Sequence, residues 1–199
     1  MKTILFIIVV IIIAGSFVIA LNNSGEVADV ASPRLVGLGP KEIINNEEQL
    51  MDTLKLTSKS FENNGNIPSR HTCDGEGISP ELSIEGIDEN AKSLVLIMDD
   101  PDAPSGTWDH WVKFNISTST TQIKEGGEPD GASGVGTSGN REYFGPCPPD
   151  REHRYFFKLF SLDTELELEE GATKREVEKT MEGHILQQTE LVGLYERNQ

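Results

Sequence analysis

Asp99-Asp100-Pro101-Asp102-Ala103-Pro104, followed six residues later by His110-Trp111, is the stretch on which the reading of this chain turns. It follows an apolar run, residues 93–98, suited to a strand buried on both faces. It precedes residues 110–116, where His110, Val112, Phe114 and Ile116 alternate with Trp111, Lys113 and Asn115 as a second strand would. Proline fixes φ and lacks an N–H, so the link between these strands is a stiff, non-helical loop. A stiff loop holds Asp100 and Asp102 at fixed positions, as a binding site requires.

A second dense segment lies downstream. Gly145-Pro146-Cys147-Pro148-Pro149 is followed by His153-Arg154-Tyr155, and the two segments together hold two of the four histidines and half of the ten prolines. Between and around them, residues 54–57, 155–162 and 191–195 read as further strands. Thr173 and Glu176 form a capping-box pattern, and Val177, Met181 and Ile185 make one stripe, which predicts a helix over residues 174–187. His184 falls on that helix. Residues 126–139, rich in glycine and serine, read as a mobile surface loop, since no helix pattern follows to make them a phosphate cradle. Many short strands with Gly/Pro turns and one helix near the C-terminus indicate a mainly β domain of the β-sandwich kind.

The chain has 199 residues and a formal charge of −16. Lys2 is the sole charge among the first twenty residues, so the remainder is slightly more acidic still. Such an excess repels nucleic acid and anionic surfaces at long range and keeps a protein soluble. Residues 4–21 are uncharged and mostly apolar, and Val18-Ile19-Ala20 resembles a signal-peptidase site. Two readings stay open for residues 1–20: a signal peptide cut after Ala20, or a membrane anchor formed by residues 4–21. Both export the domain to a periplasmic, extracellular or membrane-anchored location. Residues 21–49 mix Asn, Ser, Gly, Pro and Glu as a linker does, and residues 50–199 form the domain. The only two cysteines, Cys73 and Cys147, are either one bridge in an oxidising compartment or two buried thiols.

The chemistry of the two segments suits an anion. A charged histidine donates two hydrogen bonds, and nearby carboxylates raise its pKa and orient its ring. His110 and His153, steadied by Asp100 and Asp102, can present N–H groups; Gly145 lets an anion approach the backbone, and Tyr155 adds a hydroxyl and a flat wall. His71 and His184 read as satisfied polar residues.

These residues resemble the phosphatidylethanolamine-binding protein family, in its bacterial and archaeal "Raf kinase inhibitor-like" branch. The resemblance runs from about Phe61 to Arg197 and includes Thr72-Cys73-Asp74-Gly75, Ser79-Pro80, Gly183-His184-Ile185-Leu186 and Leu191-Val192-Gly193-Leu194-Tyr195. It implies two antiparallel sheets with peripheral helices. It also implies a pocket for phosphate-type anions and phospholipid head groups at Asp100, Asp102, His110, Gly145, Pro148, Pro149, His153 and Tyr155. Ser117 stands where proline is usual, and Arg151-Glu152 replaces a more glycine-like approach to the histidine, which puts charge at the pocket rim.

A hydrolase using the His/Asp pair, or Cys147 as nucleophile, is the rival. No Gly-x-Ser-x-Gly elbow occurs. An inhibitor-like interaction protein is the other alternative, although an exported chain would rarely meet a cytoplasmic kinase. The reading is therefore a non-enzymatic binding protein, with no cofactor, no metal and no nucleic-acid partner. A homodimer and a protein partner outside the cytoplasm stay open. N-terminal sequencing of the mature protein is expected to begin at Leu21 if the signal is cut; a cytoplasmic protein retaining Met1 would defeat export.

Overall fold

The central strand is buried along its whole length. In the computed structural model, which describes residues 53–197, all eight residues of β4 (Ser93–Asp100) are inaccessible to solvent or nearly so. The export segment and linker expected over residues 1–49 lie outside the described residues. Before β4 come β1 (Lys55–Thr57), β2 (Gly65–Asn66) and β3 (Leu82–Glu85). After it come β5 (Trp108–Ile116), β6 (Gln122–Ile123), β7 (Ala132–Ser133), β8 (His153–Leu162), the helix α1 (Lys174–Met181) and β9 (Ile185–Tyr195).

Two sheets result. The larger has the order β2-β9-β8-β4-β5-β7 and the smaller β1-β3-β6. Pairing is antiparallel except between β2 and β9, which run parallel. Period-2 alternation then divides the core. Leu94, Leu96 and Met98 face Tyr155, Phe157, Leu159 and the small sheet's Leu56, Leu82 and Ile84. Val95 and Ile97 face Val177 and Met181 of α1. The fold is mainly β, as expected, with one α-helix and one short 3-10 turn among the described residues.

Three sequence expectations are corrected. The first is the simple alternation over residues 110–116. Pairing of β4 with β5 shifts between Met98 and Asp99 and again between Leu94 and Leu96. Each shift is a bulge that places an extra residue on β5. Asn115, at φ 54°, sits in the second. Its side chain bonds the backbone of Leu166 in both directions, at 2.9 and 2.8 Å. The bulges move Ile116 into the Trp111 cluster while Val112 and Phe114 stay beneath the helix.

The second is the helix end. The capping box forms at Thr173 and Glu176, but α1 stops at Met181. Gly183, at φ 82°, turns the chain, and Ile185 starts β9 opposite Leu162. A left-handed glycine after the last turn is a common helix stop. His184 therefore lies in the turn, 2.8 Å from Asp163 Oδ1. The third is the glycine-rich stretch, which is held against the sheet. Ala132 and Ser133 pair with Phe114 and Lys113, and Gly134 N–H donates to Val112 O at 2.9 Å. A Cβ on Gly134 would come within 2.6 Å of Ala172 O, so close backbone approach accounts for that glycine. Glu128 ties the same stretch down by accepting from Trp111 Nε1 at 3.0 Å.

Helix α1 is seated by charge as well as by apolar packing. Asp99, 1% exposed, accepts from Lys174 Nζ of α1 at 2.6 Å and from Lys158 Nζ of β8 at 2.8 Å. Lys174 also reaches Asp109 Oδ1 at 2.9 Å. Removing one partner from a buried ion cluster strands the others. Asp99→Asn is expected to cost about 3 kcal/mol or more in urea unfolding. Asp109→Asn, at the more exposed end, is expected to cost under about 1 kcal/mol. Equal small effects would remove the cluster from the account.

Candidate functional site

The loop after β4 is built by its own carboxylates. Asp100 Oδ1 accepts from Asp102 N–H at 2.8 Å, a turn that the intervening Pro101 suits. Asp102 then points away from Asp100 and grips Arg154, with two side-chain bonds of 2.8 Å. The guanidinium holds the Asp102 carboxyl down at about 2. Asp100, 3% exposed, turns inward, and its Oδ2 lies 2.8 Å from His153 Nδ1.

His153 is clamped on both nitrogens. Asp150 Oδ1 lies 2.8 Å from its Nε2, on the side opposite Asp100. Burial opposes charge on this ring, but the hydrogen bonds to Asp100 and Asp150 prevail and raise its pKa above the ordinary value. His110 is held differently. Its Nδ1 meets Phe144 O at 2.6 Å, so that nitrogen donates and Nε2 is left over. Burial lowers the His110 pKa, outweighing the Phe144 carbonyl and the carboxylates of Asp100, Asp109 and Asp99.

A cavity of about 390 Å³ opens between the two segments. Asp100, His110, Pro148, Pro149 and His153 line it, so five of the eight sequence-predicted site residues meet there. Asp102, Gly145 and Tyr155 do not line it. Asp102 fixes the loop from outside. Gly145 is packed against the preceding loop: a Cβ there would sit 2.7 Å from His71 O and 3.0 Å from Thr72 Cα. Its lack of a side chain serves that close approach, and the expected role at an anion is corrected. Tyr155 backs the site, its ring edge-on to His110 at 5.3 Å and stacked with His153 at 6.5 Å. Its hydroxyl is buried, and the residue stands behind the cavity wall without lining it. The two histidines, expected alike to present N–H groups, differ in what their nitrogens meet. Both nitrogens of His153 already meet carboxylates.

The sequence reading missed Trp108, Phe144, Pro104 and Ser105, which complete the wall together with Ala103 and Cys147, and Asp150, which completes the clamp. Trp108 stands two residues before His110 and Asp150 three before His153, but no motif in the sequence marks either as part of the site. His71 is the satisfied polar residue expected, with Ile78 O and Ser60 Oγ both 3.0 Å from its ring nitrogens. Arg151 lies near the rim, 2.9 Å from Asp150 Oδ2. Among the described residues, no group of three or more His, Cys, Asp or Glu side chains is arranged to hold a metal ion.

The family model described as phosphatidylethanolamine-binding protein matches residues 57–196, which hold every residue of this site. The chain belongs to the phosphatidylethanolamine-binding protein family. A UPF0098 protein of Methanothermobacter thermautotrophicus is 53% identical over 150 residues, covering 72% of this chain and 99% of the relative. A UPF0098 protein of Pyrococcus horikoshii is 49% identical over 173 residues, covering 82% and 85%. Among solved structures, a phosphatidylethanolamine-binding protein homologue of Chlamydia trachomatis matches with a TM-score of 0.72 and 41% identity, over 74% of this chain and 99% of that one. Escherichia coli YbcL, described as a new member of the mammalian family, matches with a TM-score of 0.68 and 26% identity, over 73% and 99%.

In this family member the second segment is fastened to the loop at His71–Asp74 at several points. Cys73 and Cys147 are joined by a disulfide, with Cα atoms 5.4 Å apart. Cys73 N–H donates to Pro146 O at 3.0 Å, and Tyr143 Oη donates to His71 O at 2.8 Å. Asp74 continues the link to the C-terminal strand through Tyr195 Oη and Arg197. With its sulfur bonded, Cys147 offers no thiolate. The two cysteines are 74 residues apart, a loop for which chain entropy gives about 4 kcal/mol. Unreduced protein, unfolded, is expected to show no free thiol, and reduction to lower the thermal midpoint. Two titratable thiols before reduction would refute the bridge.

Proposed function

We propose that this chain is an exported, non-enzymatic binding protein whose cavity takes a phosphate-type anion, free or as a phospholipid head group, and that it acts on a partner outside the cytoplasm. Membership of the family supports a binding role. The observation that carries the anion reading is His110: with Nδ1 spent on Phe144 O, its Nε2 is the ring nitrogen left for a ligand at the cavity wall. The surrounding Pro104, Trp108, Phe144, Pro148 and Pro149 suit the organic part of a head group.

A neutral ring with Nδ1–H fixed presents a lone pair at Nε2, which repels an anion. Binding therefore takes up one proton at His110, and the bound anion raises the pKa that burial has lowered. Below the free pKa the ring is already charged and affinity is flat. Above it, affinity falls by up to about tenfold per pH unit until the bound pKa is passed. Calorimetry with inorganic phosphate and phosphoethanolamine across this range is the test. His110→Ala is expected to weaken binding by about ten- to a hundredfold and to remove the fall in affinity that is left once the ligand's own ionisation is allowed for. A pH dependence of affinity identical in wild type and His110→Ala, or turnover of an ester substrate lost in the same variant, would overturn the reading.

A further inference from the structure

His153 donates two N–H groups when charged, and both have protein acceptors. The two acceptors are not equivalent. Asp100 ends a fully buried strand, is 3% exposed and has its other oxygen held by Asp102 N–H. It has nowhere to go. Asp150 lies outside any strand or helix, and its side chain is 49% exposed. Its other oxygen is held by the adjoining Arg151, itself 62% exposed. Exposed pairs of this kind hold a side chain weakly.

We propose that Asp150 is a built-in occupant of an anion position on His153: its carboxylate takes the Nε2–H that an anionic ligand would use, and a ligand engages that ring by displacing it. The proposal rests on the anion reading above. A carboxylate oxygen at 2.8 Å from Nε2 already has the charge and acceptor geometry of a phosphate oxygen. Being tethered three residues from His153, it competes at a high effective concentration. The exchange conserves the charge balance around the ring, since one anionic acceptor replaces another. Asp150 released from Nε2 keeps Arg151 as its partner. The site then discriminates against weak, dilute anions and favours ligands that gain further contacts from the cavity wall. Asp150 is in this sense a specificity-determining residue.

The test is calorimetric titration of the full chain with inorganic phosphate. Asp150→Ala is expected to bind phosphate about three- to tenfold more tightly than wild type, with Asp150→Asn between them because its amide oxygen still accepts. Glu152→Gln, which removes an exposed charge nearby, measures the effect of charge alone and is expected to change affinity by less. NMR of the His153 ring gives a second readout: its pKa is expected to fall in Asp150→Ala and to recover when phosphate binds. Wild-type binding with no tightening in Asp150→Ala, or tightening no greater than in Glu152→Gln, overturns the occupant and leaves the anion reading standing. Phosphate binding by none of the four proteins overturns both.

Discussion

Strand β4 ends in two adjacent carboxylates that the pleat sends to opposite faces, and the polar organisation of the domain depends on that divergence. Asp99 goes to the helix face, where it meets Lys174 and Lys158. Asp100 goes to the cavity face, where it meets His153. Both are almost fully buried, at 1% and 3% exposure, so each must be paired or the fold bears a large desolvation cost. Helix docking and cavity geometry are thereby set by one strand in one register. A slip of one residue would exchange the two carboxylates and leave both sets of partners stranded.

The same alternation explains what could be read from the sequence and what could not. Residues 93–98 are legible because every second side chain is large and apolar on each face, and the capping box at Thr173 names the helix start. The path of β5 is not legible. Its two bulges are backbone events, visible only as register shifts against β4, and a strict period of two places Ile116 on the wrong face. The helix stop at Gly183 competes with an apolar stripe that extends through Ile185, and strand pairing with Leu162 decides the matter. At the site, the residue types were right and some of their duties were not. Gly145 looked like a place for a ligand, whereas the loop at His71–Thr72 fills that space. Asp150 was unread because nothing in the chain says which carboxylate turns toward His153.

The two histidines, equivalent as letters, become different groups through their acceptors. His110 faces a neutral carbonyl and burial keeps its pKa low; His153 faces two carboxylates, which overcome burial and favour the charged ring. Their contributions to stability run in opposite senses. The neutral His110 ring contributes above its ordinary value of 6.5, and that contribution is lost as pH falls through the lowered pKa. The charged His153 ring contributes fully below 6.5, and that contribution is lost as pH rises through the raised one. Between the two pKa values the site thus holds a cationic cross-link beside a proton acceptor. That division makes His153 a cross-link between loops and leaves His110 as the group whose protonation the proposed ligand would change.

The anion pocket proposed above, in a chain of charge −16, looks contradictory until distances are considered. Screening at physiological salt limits exposed charges to about 8 Å, so most of the acidic surface acts on approach and hardly on a bound ligand. Within that range the balance is local. Asp102 is neutralised by Arg154, Asp100 shares His153, and Arg151 stands beside Asp150. The carboxylates nearest the cavity are therefore already paired, and His110 is the group that can still change its charge. Net charge sets how often an anion arrives, and the pairing of a few side chains sets whether it stays. The acidity of the whole and the proposed anion site are then compatible, because they would act on different steps of binding.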